Sequence, residues 1–388
     1  MIWWWLWGYI EVAVWTWYVA QALIGLKQVP DLTEPEWDLT PKEWNSLPTL
    51  SVVVPARNEE EKIESCLRSL VRSLYPRLRV IAVDDRSTDA TGAIMDRLKL
   101  EFPTRLSVTH VSELPEGWLG KTHAMWLGAQ TTDTEYILFT DGDVVFAPKA
   151  LARALAYMKA IEADHLVLFP TLTLRTFGET MMVSLFQTLF IFEHRAWKAA
   201  DPKSKDHIGV GAFNLVRRDA YQKIGTYEAL RLAILDDMKL GQRIKQAGLK
   251  QRVAYGRDLV RVRWAEGALG VIRGLTKNAF AVADFSVPKL LFQITGMTYI
   301  LLGPYAGALL APALAKLPFL LAIATIWAQY FGLARNGDTK WWYMVTHPLA
   351  AALFIYTMLR STVVTLARGG IEWRGTRYSL AEIRASQD

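Results

Sequence analysis

One cysteine, Cys66, is all the thiol chemistry in this chain of 388 residues. It excludes an intrachain disulfide and a cysteine-built metal site. It is compatible with a reducing compartment, and its place beside an apolar helical face makes it core filler. Clustered charge of one sign is also missing. The formal net charge is +6, but the excess is scattered. With no Lys/Arg run and no zinc-finger spacing, nucleic acid is not an expected partner. Scattered basic charge suits anionic phosphates and an anionic membrane face instead. There is no Gly-x-x-x-x-Gly-Lys-Ser/Thr phosphate loop, no internal repeat and no low-complexity segment. The start of the chain lacks the basic residues and small-residue cleavage site of a secretory signal.

Long apolar runs, by contrast, are plentiful. Hydrophobic residues make up 52% of the chain, with 16 Trp, and they pile up at its two ends. Residues 2–26 hold one charge, Glu11. At about 1.5 Å per residue such a helix spans a bilayer, and its Trp residues suit the interfacial belt. Residues 1–27 are therefore expected to be a retained transmembrane anchor, with Glu11 near the interface or facing another helix. After Pro288 the apolar stretches 290–311, 317–334 and 343–366 are each near span length. About three transmembrane helices are expected over 287–367, with Gly303-Pro304 kinking the first. A basic tail, 368–388, carries Arg368, Arg374, Arg377 and Arg384. Three later spans would put this tail on the face opposite the preceding domain. If that domain is cytoplasmic, the positive-inside tendency opposes the arrangement. Either one stretch is re-entrant or interfacial, or the tendency is overridden.

The middle of the chain reads as a soluble domain over residues 49–286. A segment with Pro30, Pro35, Pro41 and Pro48, residues 28–48, is expected to be a linker before it. Leu50-Ser51-Val52-Val53-Val54-Pro55 reads as a buried strand. Asn58 with Glu61 three residues on reads as a capping box for a helix carrying Ile63, Leu67, Leu70, Val71 and Leu74. Val80-Ile81-Ala82-Val83 is a second strand, ending in Asp84-Asp85, and another helix begins near Ala90. This β-α-β-α order implies a parallel sheet with its ligand crevice at the carboxyl ends of the strands. Tyr136-Ile137-Leu138-Phe139 delivers Asp141-Gly142-Asp143 to such an end. Side chains two apart on a strand share a face, so both carboxylates can reach one hard divalent cation that keeps room for substrate phosphates.

Three further features carry chemistry. Gly117-Trp118-Leu119-Gly120-Lys121-Thr122 puts a single lysine before a helix, as a phosphate-binding device does. Ile234-Leu235-Asp236-Asp237 places a second acidic pair just before a helix that Gly248 ends. One Asp capping that helix is the plainer alternative to a catalytic base. Residues 257–278 are cationic, with Arg257, Arg261, Arg263, Arg273 and Lys277. They are read as an interfacial segment near 261–286 or as cations for a phosphate leaving group. Residues 181–192 form a very apolar helix too short to span. Gly209-Val210-Gly211-Ala212-Phe213-Asn214 is a glycine-rich strand or loop.

Val54-Pro55-Ala56-Arg57-Asn58-Glu59, Val83-Asp84-Asp85-Arg86-Ser87-Thr88-Asp89, Gly120-Lys121, Asp141-Gly142-Asp143 and Leu235-Asp236-Asp237 occur in that order. Together they resemble the inverting family 2 glycosyltransferases over roughly residues 48–280. The resemblance implies an α/β nucleotide-diphospho-sugar transferase (GT-A) domain, a mostly parallel sheet with helices on both faces, here flanked by transmembrane helices. The flanking segments, Trp118 to Ala124, Thr276-Lys277-Asn278 and Trp373-Arg374-Gly375 resemble the membrane branch that glycosylates lipids, including hopanoid-associated, carotenoid and ceramide glycosyltransferases. On that resemblance Pro55, Arg57, Glu59 and Asp85 line the nucleoside pocket, and Lys121 approaches the nucleotide. Asp141 and Asp143 sit by the sugar diphosphate and hold Mg²⁺ or Mn²⁺. Asp237 is the general base. Asp236 stands where Glu is usual, so the pair could exchange duties. Arg263, Trp264 and Lys277 complete the donor site. Arg263-Trp264 match the end of the family's Gln-x-x-Arg-Trp motif, but Val260 stands at the Gln position, which favours a single transfer over processive synthesis.

The expected protein is an integral membrane enzyme with its domain on the cytoplasmic face of a bacterial inner membrane. It moves one sugar from a nucleotide donor, a UDP-sugar, to a lipid hydroxyl, with membrane lipids as its surroundings. A polyprenyl-phosphate sugar synthase and a nucleotidyltransferase are the alternatives on the same fold. A non-catalytic membrane scaffold or transport component with a degenerate domain is the alternative from another class.

Overall fold

The computed structural model describes residues 1–38, 43, 46–336, 339–373 and 375–385, so Pro41 and Arg374 lie outside it. It comprises two compact units, one of residues 28–171 and 196–263, the other of residues 1–27, 172–195 and 264–388.

The first unit is built on an eight-stranded sheet: β1 (Leu50–Ala56), β2 (Leu78–Asp85), β3 (Leu106–Val111), β4 (Tyr136–Phe139), β5 (Val144–Phe146), β6 (His165–Leu172), β7 (Asn214–Arg217) and β8 (Gln251–Val262), in the order β3-β2-β1-β4-β7-β6-β8-β5. The β3-β2-β1-β4 half is parallel, and β7 joins β4 antiparallel. Every residue of β1 is buried, as expected of a strand covered on both faces, whose sequence is apolar without alternation. Register does the rest: Ala56 pairs with Asp84, and Val53 pairs with Phe139. The loops after β1, β2 and β4 therefore leave from one edge. Helices Ile63–Val71, Thr91–Glu101, Gly120–Gln130, Ala150–Ala160 and Asp236–Gln246 connect the strands. A core of Val53, Ile81, Val83, Met125, Phe139, Tyr221, Tyr227 and Leu240 ties the sheet to two of them.

Several local expectations change. The capping box at Asn58 does not form; the helix starts at Ile63, behind Lys62. Asn58 instead takes a left-handed conformation (φ 54°), which its short polar side chain tolerates. Its Oδ1 accepts from Thr88 N at 2.8 Å, and its N donates to Ser87 Oγ at 3.0 Å. The amide is spent on joining the β1 and β2 loops. A side-chain N-cap forms elsewhere in the chain: Thr176 Oγ1 accepts from Glu179 N at the start of helix Phe177–Glu193. The proline-bearing segment is not a free tether. Leu32 is fully buried, and Leu32 N and Tyr255 N bond Tyr255 O and Pro30 O at 3.0 and 2.8 Å. β3 escaped the sequence reading because its faces do not alternate cleanly.

The second unit is helical, with Ile2–Gly25, Phe177–Glu193, Gly267–Val282, Val287–Leu310, Leu317–Asn336 and His347–Arg368. Trp15, Tyr18, Met182, Val271, Leu301, Ile326 and Tyr330 form its core. Among the described residues three helical stretches are long and apolar enough to cross a membrane: Ile2–Gln28, Ala313–Arg335 and Trp341–Arg368. The stretch after Pro288 meets that standard only together with Gly267–Val282, from which it is bent by 117°. The bend falls where Asp284 and Phe285 both take left-handed φ. Helix Val287–Leu310 runs on through Pro304. Leu6, Leu291, Phe292, Leu309, Leu317, Leu320, Phe331 and Val363 face outward, an apolar surface far too extensive for a unit bathed in water. The basic tail is not extended: Gly370–Trp373 and Thr376–Ser379 pair as an antiparallel hairpin.

Candidate active site

Two polar clusters stand at the carboxyl edge of the parallel strands. The first is centred on Asp85, the last residue of β2. Its buried carboxylate receives Arg86 Nε at 2.8 Å, and Arg57 Nη1 lies 3.9 Å away. Arg57 follows β1, whose penultimate residue is Pro55, opposite Val83. Glu59 holds its loop in place through its backbone, donating N–H to Thr91 Oγ1 at 2.8 Å. Gly120 opens the next helix directly against Asp85; a Cβ there would sit 2.0 Å from Oδ2. Only glycine admits the carboxylate so close to a helix N-terminus.

The second cluster is centred on Lys121, one residue further on. Its Nζ lies 2.8 Å from Asp141 Oδ1 and 3.2 Å from Asp236 Oδ1. One ammonium thus joins the acidic pair after β4 to the acidic pair at the start of helix Asp236–Gln246. Burial opposes its charge, but Asp141, Asp236 and Asp237 outweigh burial and hold Lys121 well above the usual lysine range. Tyr227 OH donates to Asp236 Oδ2 at 3.4 Å. Neither Asp236 nor Asp237 is the cap of its helix, since Leu235 holds that position. Burial, and then the neighbouring Asp236 carboxylate, push Asp237 up to about 7 against the pull of Lys121. Burial and Asp141 likewise push Asp143 up to about 6, although Lys62 Nζ lies 3.6 Å away.

The glycine-rich segment gains a place here. Asp141 N donates to Gly211 O at 3.0 Å. A Cβ on Gly211 would lie 2.3 Å from Asp141 Oδ2, and one on Gly209 would lie 1.8 Å from Asp237 O. The loop therefore lies against both acidic pairs. Arg86, Lys62, Gly120, Gly211 and Tyr227 are the site residues that sequence reasoning did not single out. Arg86 and Gly120 lay inside the quoted motifs, whereas nothing local marks Lys62 or Tyr227.

Not all expected residues fall in this unit. Arg263 follows β8 at its edge. Trp264 and Lys277 belong to the helical unit. Trp264 packs on Phe186 at 4.5 Å between ring centroids, and Lys277 is exposed on helix Gly267–Val282.

Residues 51–225 match the model of glycosyl transferase family 2. The chain carries a family 2 glycosyltransferase domain. A 4,4'-diaponeurosporenoate glycosyltransferase of Staphylococcus aureus (strain MRSA252) is 25% identical over 340 residues, which are 86% of this chain and 89% of the relative. The protein of the same name from strain USA300 has the same identity and coverage. A mannosyltransferase from Pyrobaculum calidifontis, solved in complex with GDP-Man and Mn²⁺, is 19% identical. It covers 92% of this chain and 99% of its own, with a TM-score of 0.53. That likeness shows the GT-A fold.

A divalent cation suits the donor set of this glycosyltransferase. Asp143 and Asp141 offer hard oxygen ligands, and the raised Asp143 marks a half-buried carboxylate that the Lys62 ammonium only partly compensates. Among the described residues no third His, Cys, Asp or Glu joins such a group. A cation there would leave positions for substrate oxygens.

Proposed function

We propose that this chain is a membrane-bound, metal-dependent, inverting glycosyltransferase that moves a single sugar from a nucleotide-sugar, a UDP-sugar, to a lipid acceptor. The observation that carries this reading is the single lysine shared by Asp141 and Asp236, beside a raised Asp237, at the carboxyl edge of a family 2 sheet. The division of labour follows from charge. Asp85, flanked by Arg57 and Arg86, accepts hydrogen bonds from the nucleoside base, while Pro55 and Glu59 shape the loop beneath it. Asp143 and Asp141 would hold Mg²⁺ or Mn²⁺, which supplies charge neutralisation for the departing diphosphate. Lys121 and Arg263 add fixed positive charge on the donor side, with Trp264 next to Arg263 in sequence. Asp237, whose proton affinity sits near neutrality, removes the acceptor proton; such a base contributes about 10²–10⁴-fold. The acceptor oxygen forms its bond to the anomeric carbon as the bond to the diphosphate breaks on the opposite face. The nucleoside diphosphate leaves with the electron pair, and the anomeric centre is inverted. Asp236, bonded by Lys121 and Tyr227, orients the cluster.

The relative of known name supports a lipid acceptor, and it also favours a second reading of the base. A diaponeurosporenoate is a carboxylate, and its oxygen needs no deprotonation to attack. A polyprenyl phosphate shares that property. The two acceptor chemistries part at Asp237→Asn: a hydroxyl acceptor loses about 10²–10⁴-fold in rate, whereas an anionic one keeps most of it.

The bent pair Gly267–Val282 and Val287–Leu310 supports a topology that satisfies the tail. Read as re-entrant or interfacial, it leaves two later spans, so the basic tail returns to the side of the glycosyltransferase domain. That side is the cytoplasmic face of a bacterial inner membrane by the positive-inside tendency.

The test is nucleoside diphosphate release by purified protein in detergent, with Mn²⁺, a panel of nucleotide-sugars, and total lipid of the host present or absent. Lipid-dependent release that vanishes in Asp141→Ala is expected, with mass spectrometry of the product naming the acceptor. No release and no donor binding with any nucleotide-sugar would sink the reading in favour of a non-catalytic membrane component.

A further inference from the structure

Behind the glycine-rich loop lies a buried polar chain that the chemistry above does not use. His165 at the start of β6, Asn214 at the start of β7 and Gln251 at the start of β8 are all at most 2% exposed. His165 Nε2 meets Asn214 Oδ1 at 3.1 Å, and Gln251 Nε2 meets His165 Nδ1 at 2.9 Å. Both amides are oriented by the backbone of the loop. Asn214 Nδ2 donates to Val210 O at 2.8 Å. Gln251 Oε1 accepts from Ile208 N at 2.9 Å, and its Nε2 also faces Ile208 O at 3.1 Å and Gly241 O at 3.3 Å. With those orientations fixed, His165 must be neutral, with its proton on Nε2, since Nδ1 receives an N–H. Burial holds its pKa down, near 4, to the same effect.

Each end of this chain grips the loop 208–214, and Gln251 also reaches Gly241 in the helix that bears Asp236 and Asp237. The loop in turn accepts Asp141 N at Gly211 O and abuts Asp237 at Gly209. We propose that His165, Asn214 and Gln251 are positioning residues that lock the loop 208–214 and so set the spacing between the Asp141 and Asp236-Asp237 carboxylates. The inference rests on the glycosyltransferase reading of that site. A fully bonded buried network is suited to this task, because every partner has one acceptable arrangement, and misplacement of a reacting group by about 1 Å costs on the order of 10²-fold in rate.

The experiment uses full-length protein in detergent. His165→Phe and Gln251→Met are each expected to lower kcat for nucleoside diphosphate release by about 10–100-fold while leaving the donor KM within about threefold. His165→Gln, which keeps one donor and one acceptor, is expected to recover part of the rate. Amide hydrogen exchange over 208–214 should rise in the first two variants while β1 stays protected. Folded variants with wild-type kcat and wild-type exchange would overturn the proposal. Should neither variant fold, exchange in the wild-type protein decides. An Ile208 amide as protected as those of β1 supports the lock, and rapid exchange there overturns it. Absence of any release by wild-type protein would instead count against the glycosyltransferase reading, and the exchange result would still judge the lock.

Discussion

Lys121 is the side chain on which the site's charge balance turns. Its side chain is 21% exposed, and Asp236 beside it is nearly inaccessible. Removing one member of such a group leaves an uncompensated buried charge, at a cost of about 3–5 kcal/mol. Lys121→Met is expected to lower the melting temperature more at pH 8 than at pH 5.5, because protonation of the abandoned carboxylates relieves the loss; thermal melts at the two pH values check this. Asp143 and Asp237 give a related pH dependence. Both are raised above their ordinary range, to about 6 and about 7. A carboxyl raised in the folded state favours folding most below its unfolded pKa, and that advantage is lost as pH rises through the folded value. Without a divalent cation, stability should therefore fall between about pH 4 and 7. Asp237→Asn should flatten this slope and melt higher than wild type at pH 8. A steeper slope in the variant would contradict the assignment.

At the level of elements, two glycines bring secondary structure against carboxylates. Gly120 starts a helix on Asp85, and Gly211 passes a loop under Asp141. An added methyl group must displace what it meets. Gly120→Ala is expected to act on donor binding, raising the donor KM by about tenfold or more, since about 1.4 kcal/mol suffices for tenfold. Gly211→Ala should mainly lower kcat. Steady-state kinetics on the pair separates the two clusters, and equal effects of both variants on KM and kcat would argue against separate roles. The loops after β1 and β2 were legible as ligand-bearing because strand order placed them on one edge. The glycine loop was not, because its partners, Asp141 and Asp237, are 70 residues upstream and 26 downstream of Gly211 in the numbering.

At the scale of the whole molecule, the three helices of span length among the described residues and an outward apolar surface predict that the chain fractionates with membranes. It should resist extraction by alkaline carbonate and yield only to detergent; release by high salt alone would contradict the spans. The bent pair carries the topological question. Reagent access to cysteines introduced in the tail hairpin and in the glycosyltransferase domain, in intact spheroplasts, is expected to be equal and low.

Sequence alone determined what is written in short range. Apolar runs mark β1, β2 and β4 as well as the spans, because burial selects composition residue by residue. The acidic pairs at strand ends were visible because a strand must end where charge begins, and their order along the chain carried the resemblance to family 2. Tertiary structure decided what depends on distant partners. It gave Asn58 to Thr88 rather than to its own helix, because an amide bonds whichever backbone group the sheet brings near. It folded the proline segment onto Tyr255, turned the first later apolar stretch into half of a bent pair, and gathered Lys121, Asp141 and Asp236 around one charge. Electrostatic attraction fixes such a cluster only after packing has brought its members within a few ångströms, and no spacing in the chain encodes that.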